Sequence, residues 1–419
     1  MKEMELLLGC IGDDFTGSSD AASFLAEAGL KTILVNGEIG SLAELDAEAI
    51  VVALKTRSAP PKEAVKESLA ALQALQARGA KHIYVKYCST FDSTREGNIG
   101  PILDACMKEL DVPYTVLCPA LPVNGRIVKD GVLFVHGTPL AESPMKDHPL
   151  NPMWASRLQD LMRPQSAYPC LEIPHKRLDE AKPEEIGREL ERFQKEHPRF
   201  YVVPDYMNQE HARKIAQVFS SLPLLSGGSG LLTELAEQYK GGKYTAKPPQ
   251  NKTEGAGIVF AGSCSETTLR QIATFQEAGG KSFKMNPAAL RQGAHYLEEV
   301  WSWAKERLDQ EVLLYSSDTP ENVRAHQDVA VAELLEQAFA CLAKKARHAG
   351  VKRFIVAGGE TSGAVVRALG FPAFVISKSV APGVPVMIPT DAENMRVVLK
   401  SGNFGQEDFF RRALDMTRR

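Results

Sequence analysis

The sequence predicts an α/β protein of two domains, each a mostly parallel sheet flanked by helices. Three observations predict it. Short apolar runs alternate with helical patterns from residue 6 onward, and polar clusters repeatedly follow the carboxyl ends of those runs. The alternation then restarts after a stretch with the composition of a linker. A chain of 419 residues fits two or three domains on size alone. Its hydrophobic share of 44% and charged share of 24% are those of a globular protein with substantial cores.

The totals also exclude some partners. The formal net charge is -3, which gives no electrostatic footprint for nucleic acid or for a membrane surface. No apolar stretch approaches membrane-spanning length, and Met1 to Glu5 run directly into a strand, so neither a membrane span nor a signal peptide is expected. The seven cysteines form no CxxC pair, which disfavours a zinc site or a disulfide framework and fits a cytoplasmic location.

In chain order, Leu6 to Ile11 reads as a buried strand and Ala21 to Ala28 as a helix. Between them lies Gly12-Asp13-Asp14-Phe15-Thr16-Gly17-Ser18-Ser19-Asp20. Asp13 and Asp14 stand where an open α/β sheet keeps its site, at the carboxyl end of a strand. They could equally cap the helix and favour its positive end, and Thr16, Ser18 or Ser19 could also cap it. Strands follow at residues 31–35, 49–54, 82–86 and 114–118, with helices at 61–78 and 97–110. The Pro- and Gly-rich stretch 119–169 reads as an excursion with a β-hairpin and long loops, of the kind that often carries function. A helix at 183–196, a strand at 201–204, a helix at 210–220, a strand at 222–225 and a helix at 231–239 complete the first domain, residues 1–240.

Residues 241–256 are the expected linker and 257–419 the second domain. Its strands at 258–261, 353–357 and 396–400 each open into a Gly/Ser/Thr-rich turn, at Gly262, Gly358 and Ser401. Successive N–H groups in such turns, with a helix amino terminus beneath, cradle anions. Three in one domain point to a phosphate or nucleotide site. The chain has no GxxxxGK[ST] loop, no GxGxxG fingerprint and no HRD or DFG pattern, so such a site is of another type.

In the first half, Asp13, Asp14, Arg57, Lys86, Asp92 and Arg126 fall near strand ends or in the excursion. A parallel sheet gathers strand-end residues at one rim. Mixed acids and bases there suit a small anionic, hydroxylated substrate, while surface ion pairing is the plainer reading for many of them. His148 stands in a Pro-flanked loop. The cysteines, and Trp301 and Trp303, read as packing residues.

The motif Gly12-Asp13-Asp14-Phe15-Thr16-Gly17 with Asp20, the stretch Lys86 to Thr94, and Ser226 to Gly230 resemble the four-carbon acid sugar kinases. So do Gly262 to Ser265, Ala357 to Gly363 and Lys400 to Gly405. The resemblance spans nearly the whole chain in the family's motif order. Lys86 to Thr94, Gly97 to Pro101 and Met145 to Leu150 are most like its 3-oxo-tetronate kinase branch. It implies an amino-terminal acid-sugar domain, a carboxyl-terminal ATP domain and transfer of the γ-phosphoryl of ATP to the terminal hydroxyl of a four-carbon sugar acid. D-Threonate and D-erythronate are the alternative substrates, and a non-catalytic nucleotide or sugar-acid sensor is the reading from another class. Carried over by motif, Asp13, Asp14, Arg57, Lys86 and Asp92 contact the sugar acid. Ser263, Gly358, Gly359, Glu360, Thr361, Ser362 and Gly402 contact ATP, with Mg2+ near Glu360 or Asp13. Asp14 is named as the base from its strand-end position, with Asp13 left open. A homodimer is compatible with the sequence.

Overall fold

A computed structural model describes residues 4–37, 39–147, 151–242, 247–291, 293–318 and 329–419. His148, Pro149 and Leu150 lie outside them, as do residues 243–246 of the expected linker. The chain divides into two compact units, Met1–Lys247 and Pro248–Arg419.

In the first unit, strand β1 (Leu8–Gly12) is followed by helix α1 (Phe15–Glu27), β2 (Thr32–Asn36), β3 (Ala49–Ala53) and β4 (His82–Lys86). β1, β3 and β4 are buried at nearly every position, as the near-continuous apolar runs require of strands covered on both faces. β1 pairs in parallel with β3 on one side and β4 on the other, with Gly12 opposite Ala53 and Lys86. The chain moves from β1 outward to β2, returns to β3, and then crosses to β4. The order therefore reverses between β1 and β4, and a crevice opens at that point beyond the strands' carboxyl ends.

Strands β5 (Tyr114–Val116), β9 (Cys170–Ile173) and β10 (Phe200–Pro204) form a separate three-stranded parallel sheet of order β5-β10-β9. The excursion holds the hairpin β6 (Arg126–Lys129) and β7 (Val132–Val135), extended by the short β8 (Thr138–Pro139). β11 (Leu224–Gly227) returns to pair with β4.

α1 starts at Phe15, well before the helix that the apolar period marks. Its first turns carry buried polar residues, Thr16, Ser18, Ser19 and Asp20, which hide the period. The cap is Asp14, whose Oδ1 accepts the Gly17 N–H at 2.9 Å, and not Thr16, Ser18 or Ser19. Those three lie inside the helix, and the hydroxyls of Ser18 and Ser19 bond back to the carbonyls of Asp14 and Thr16.

The second unit repeats the device. β12 (Gly257–Ala261) lies between β14 (Val312–Tyr315) and β15 (Arg353–Ala357), with β13 (Ser282–Lys284) at the edge beyond β14 and β18 (Arg396–Lys400) beyond β15. β16 (Ala373–Ala381) and β17 (Val384–Pro389) pair antiparallel, and β17 pairs antiparallel with β18, so this sheet is mixed at one end. Its core joins Val259, Ile355 and Val398 to Phe409, Phe410 and Leu414 of the last helix. Residues 249–253, within the stretch read as linker, are held in the second unit. The Arg396 guanidinium donates to the carbonyls of Gln250 and Asn251 at 2.8 Å each, and Thr253 Oγ1 donates to Asn394 O.

No helix among the described residues is long and apolar enough to cross a membrane.

Candidate active site

The reversal between β1 and β4 gathers the acids and bases of the first unit. The Asp13 N–H donates to Lys86 O at 3.1 Å, and Asp13 O accepts from the N–H groups of Thr56 and Arg57. The ends of β1, β3 and β4 are thus tied backbone to backbone. Asn98 Nδ2 steadies the loop that carries Arg57 by donating to the carbonyls of Thr56 and Ala59. Asp13, Arg57, Lys86 and Asp92 line one cavity together with Thr56 and Asn98.

Arg57 is the hub. Its Nε donates to Asp13 Oδ2 and its Nη2 to Asp13 Oδ1, each at 2.8 Å, and Nη2 also reaches Asp14 Oδ1 at 2.8 Å. Burial opposes its charge, but Asp13 and Asp14 outweigh burial and hold its pKa well above the ordinary value. Both oxygens of Asp13 are therefore occupied. Asp14 spends only Oδ1, on Arg57 and Gly17. Burial raises the Asp14 carboxyl above its usual range, against the pull of Arg57.

Lys86 is 3% exposed, and its Nζ donates to Tyr87 O at 3.0 Å. A methyl group at Gly17 would lie against Asp14 Oδ1 and 3.1 Å from Lys86 Nζ, so glycine is what admits both charged heads beside this turn. Asp92 follows Phe91, a buried aromatic residue in the left-handed region at φ 51°. That conformation is costly for a bulky side chain and is stored where surrounding structure enforces it. Thr90 Oγ1 donates to Asp92 Oδ1 at 2.7 Å.

Behind this rim, Asp20 is buried, accepts a hydrogen bond from Ser229 at Oδ2, and has no partner at Oδ1. Burial pushes its pKa up to about 6, opposed by Lys86 and the Ser229 hydroxyl. Burial also pushes Cys10 up to about 12 and Cys88 up to about 11, so neither thiol serves as a nucleophile near neutral pH.

In the second unit the three glycine-rich turns adjoin, because β12, β15 and β18 are neighbours. The N–H groups of Gly262 and Ser263 donate to Ala357 O, and the Gly358 N–H donates to Lys400 O. Ser265 caps the helix Glu266–Glu277 and donates from Oγ to Gly402 O at 2.7 Å. Gly358 has a φ of 118°, and a Cβ there would stand 3.0 Å from Ser263 N. Gly359 and Glu360, exposed, open the helix Gly359–Leu369, whose first N–H groups have no partner within the helix. Thr361 and Ser362 are buried, and Ser362 donates its N–H to Gly358 O.

Beneath the turns lies Lys400, fully buried, with Nζ donating to Thr268 Oγ1 and Ser401 O at 3.0 Å and to Gly402 O at 2.8 Å. Burial pushes its pKa down to about 7.

A family model described as a sugar-binding N-terminal domain matches residues 8–235, and one described as a nucleotide-binding C-terminal domain matches residues 258–410. A Pectobacterium atrosepticum protein named 3-oxo-tetronate kinase is 40% identical over 97% of this chain and 98% of its own length. Its Salmonella typhimurium namesake is 41% identical over 97% and 98%. The chain belongs to the four-carbon acid sugar kinases. A crystal structure of a Haemophilus influenzae protein matches 97% of this chain and 99% of that one at 38% identity and a TM-score of 0.80. Another, of a Salmonella typhimurium protein provisionally described as a tRNA synthase, matches 99% and 100% at 39% identity and a TM-score of 0.88.

As a member of this kinase family, the protein has two sets of motif residues to place, and the fold assembles each set within its own unit. Asn98 and Lys400 lie inside the motifs Gly97 to Pro101 and Lys400 to Gly405 but were not among the contact residues carried over from them. Lys400 carries a readable signal, since it ends β18 just as Lys86 ends β4. The bracing role of Asn98 on the Arg57 loop is not readable, because its partners lie about forty positions away in the chain. Among the described residues, Asp130, His175 and Asp205 also lie close together. Asp205, however, is filled by N–H donors from Asp130, Gly131 and His175, which makes it the anchor of a turn.

Proposed function

We propose that the protein transfers the γ-phosphoryl of ATP to the 4-hydroxyl of 3-oxo-tetronate, giving 3-oxo-tetronate 4-phosphate and ADP. The observation that carries this reading is the cavity in which Asp13, Arg57, Lys86 and Asp92 meet, in a chain like the 3-oxo-tetronate kinases over nearly its full length. In this reading residues 1–240 hold the sugar acid and 257–419 the nucleotide, with 241–256 joining them, and the protein works in the cytoplasm.

Asp14 is the base. Its Oδ2 is uncommitted whereas both oxygens of Asp13 are taken, and burial moves its pKa toward the working pH. It accepts the proton of the 4-hydroxyl as that oxygen bonds to the γ-phosphorus. The bond from that phosphorus to the bridging oxygen breaks, and its electrons leave with ADP. The turns at Ser263, Gly358 to Ser362 and Gly402 cradle the phosphates, a role supported by the space that Gly358 keeps open beside Ser263 N. Glu360, exposed at a helix amino terminus, is the carboxylate that fits Mg2+, since Asp13 is saturated by Arg57. The ion would neutralise phosphate charge.

The test is ADP release by purified protein with ATP and Mg2+ across 3-oxo-tetronate, D-threonate and D-erythronate. The highest kcat/KM is expected with 3-oxo-tetronate. A preference for another acid would reassign the substrate, and binding without ADP from any acid would make the protein a sensor. Asp14→Asn should lower kcat by about 10²- to 10⁴-fold with nucleotide binding retained.

A further inference from the structure

We propose that Arg126 receives the carboxylate of the sugar acid, and that Arg57 is a positioning residue for the Asp13–Asp14 pair and not a substrate contact. The proposal rests on the sugar-acid kinase reading and names, within it, the residue that selects an acid over a neutral sugar.

Three cations stand at the rim of the first unit, and their commitments differ. Arg57 already faces two carboxylates, and its Nε and Nη2 are spent on them. A third carboxylate would find no net positive charge there. Lys86 is almost wholly buried, and its Nζ is engaged by Tyr87 O. Arg126 has no ion-pair partner among the described residues. Its Nη1 donates to Asn124 O, and its Nε is buried without any acceptor. A buried N–H left unpaired costs free energy, and such a group persists where a ligand supplies its partner.

The hairpin brings Arg126 to the side of the same rim: it pairs with Leu121, Leu121 packs against Gly230, and Ser229 beside that glycine bonds Asp20. Burial lowers its pKa, against the opposing pull of Asp92 and Asp20, neither of which forms an ion pair with it. The hairpin holds it firmly. Arg126 exchanges backbone hydrogen bonds with Leu121, and Val128 exchanges them with Tyr206. A half-buried guanidinium on a fixed strand is a preorganised fork for a planar carboxylate. The charge of a four-carbon acid lies at the opposite end from its 4-hydroxyl. Arg126 therefore sets affinity and selectivity, while the Asp14 side acts on the reacting oxygen.

The experiment compares full-length wild type, Arg126→Ala, Arg126→Lys and Arg57→Lys by calorimetric titration with 3-oxo-tetronate and with its carboxamide, alongside steady-state kinetics. Melting temperature and ATP binding serve as folding controls. Wild type should prefer the acid over the amide by on the order of 10²-fold. Arg126→Ala should weaken acid binding by about that factor and bring acid and amide within a few-fold. Arg126→Lys should recover part of the preference, and the KM for ATP should not move. Arg57→Lys should keep the preference and lose kcat. An Arg126→Ala variant that retains the acid preference, or loses acid and amide equally, overturns the proposal. Because calorimetry needs no turnover, a wild type that binds the acid but makes no ADP defeats the kinase reading while still testing Arg126. A wild type that binds no acid defeats both.

Discussion

Arg57 and Asp13, 44 positions apart in the chain, form a two-pronged ion pair with both bonds at 2.8 Å. The same guanidinium holds Asp14, so a single side chain bridges two adjacent carboxylates at the carboxyl end of β1. Replacing the fork by an ammonium keeps the charge and loses the geometry. Arg57→Lys is expected to lower kcat by roughly 10- to 100-fold, as misplacement of reacting groups does, with a smaller change in KM for the sugar acid. Steady-state kinetics with each substrate varied checks this, and a change confined to KM would refute it.

Asp20 should leave a pH signature. Its carboxyl is pushed up to about 6 from an ordinary value of 3.8, mainly by burial. Between those values the folded protein holds a proton that the unfolded chain has released, so stability falls as pH rises through that window and levels off above about 6. Asp20→Asn removes the titration. Relative to wild type, the variant should gain roughly 2 kcal/mol between pH 4 and pH 7. Urea unfolding of both proteins across that range gives the difference, and a flat difference would contradict it.

Lys400 supports the loop above it through Ser401 O and Gly402 O. Lys400→Met fills much of the space but leaves those carbonyls and the Thr268 hydroxyl without their donor. Nucleotide affinity should fall about tenfold, equivalent to roughly 1.4 kcal/mol, while sugar-acid affinity stays within twofold. Titration with a non-hydrolysable ATP analogue measures the first. Equal losses for both ligands would point to general unfolding instead.

Gly358 combines a φ of 118° with a Cβ position 3.0 Å from Ser263 N. Gly358→Ala should cost roughly 1–3 kcal/mol of stability from backbone strain and weaken nucleotide binding. A variant with wild-type melting temperature and affinity would show that the turn relaxes freely.

The sequence by itself determined the parts with a local cause. Buried strands announce themselves as apolar runs, amphipathic helices by their period, and site turns by Gly, Ser and Asp at strand ends, all from neighbours a few residues away. Hence the strands from β1 to β4, the glycine-rich turns and the positions of Asp13, Lys86 and Gly358 were legible. Elements whose cause is distant were not. The first turns of α1 are polar and buried because they face the site, so their period is masked. The antiparallel β16–β17 pair and the separate β5-β10-β9 sheet depend on which strands become neighbours. Tertiary structure alone decided that β1 lies between β3 and β4, which brings Arg57 to Asp13, and that the hairpin leaves Arg126 Nε buried without an acceptor. Register and pairing are set by burial and hydrogen bonding summed over the whole sheet, and no window of sequence contains that sum.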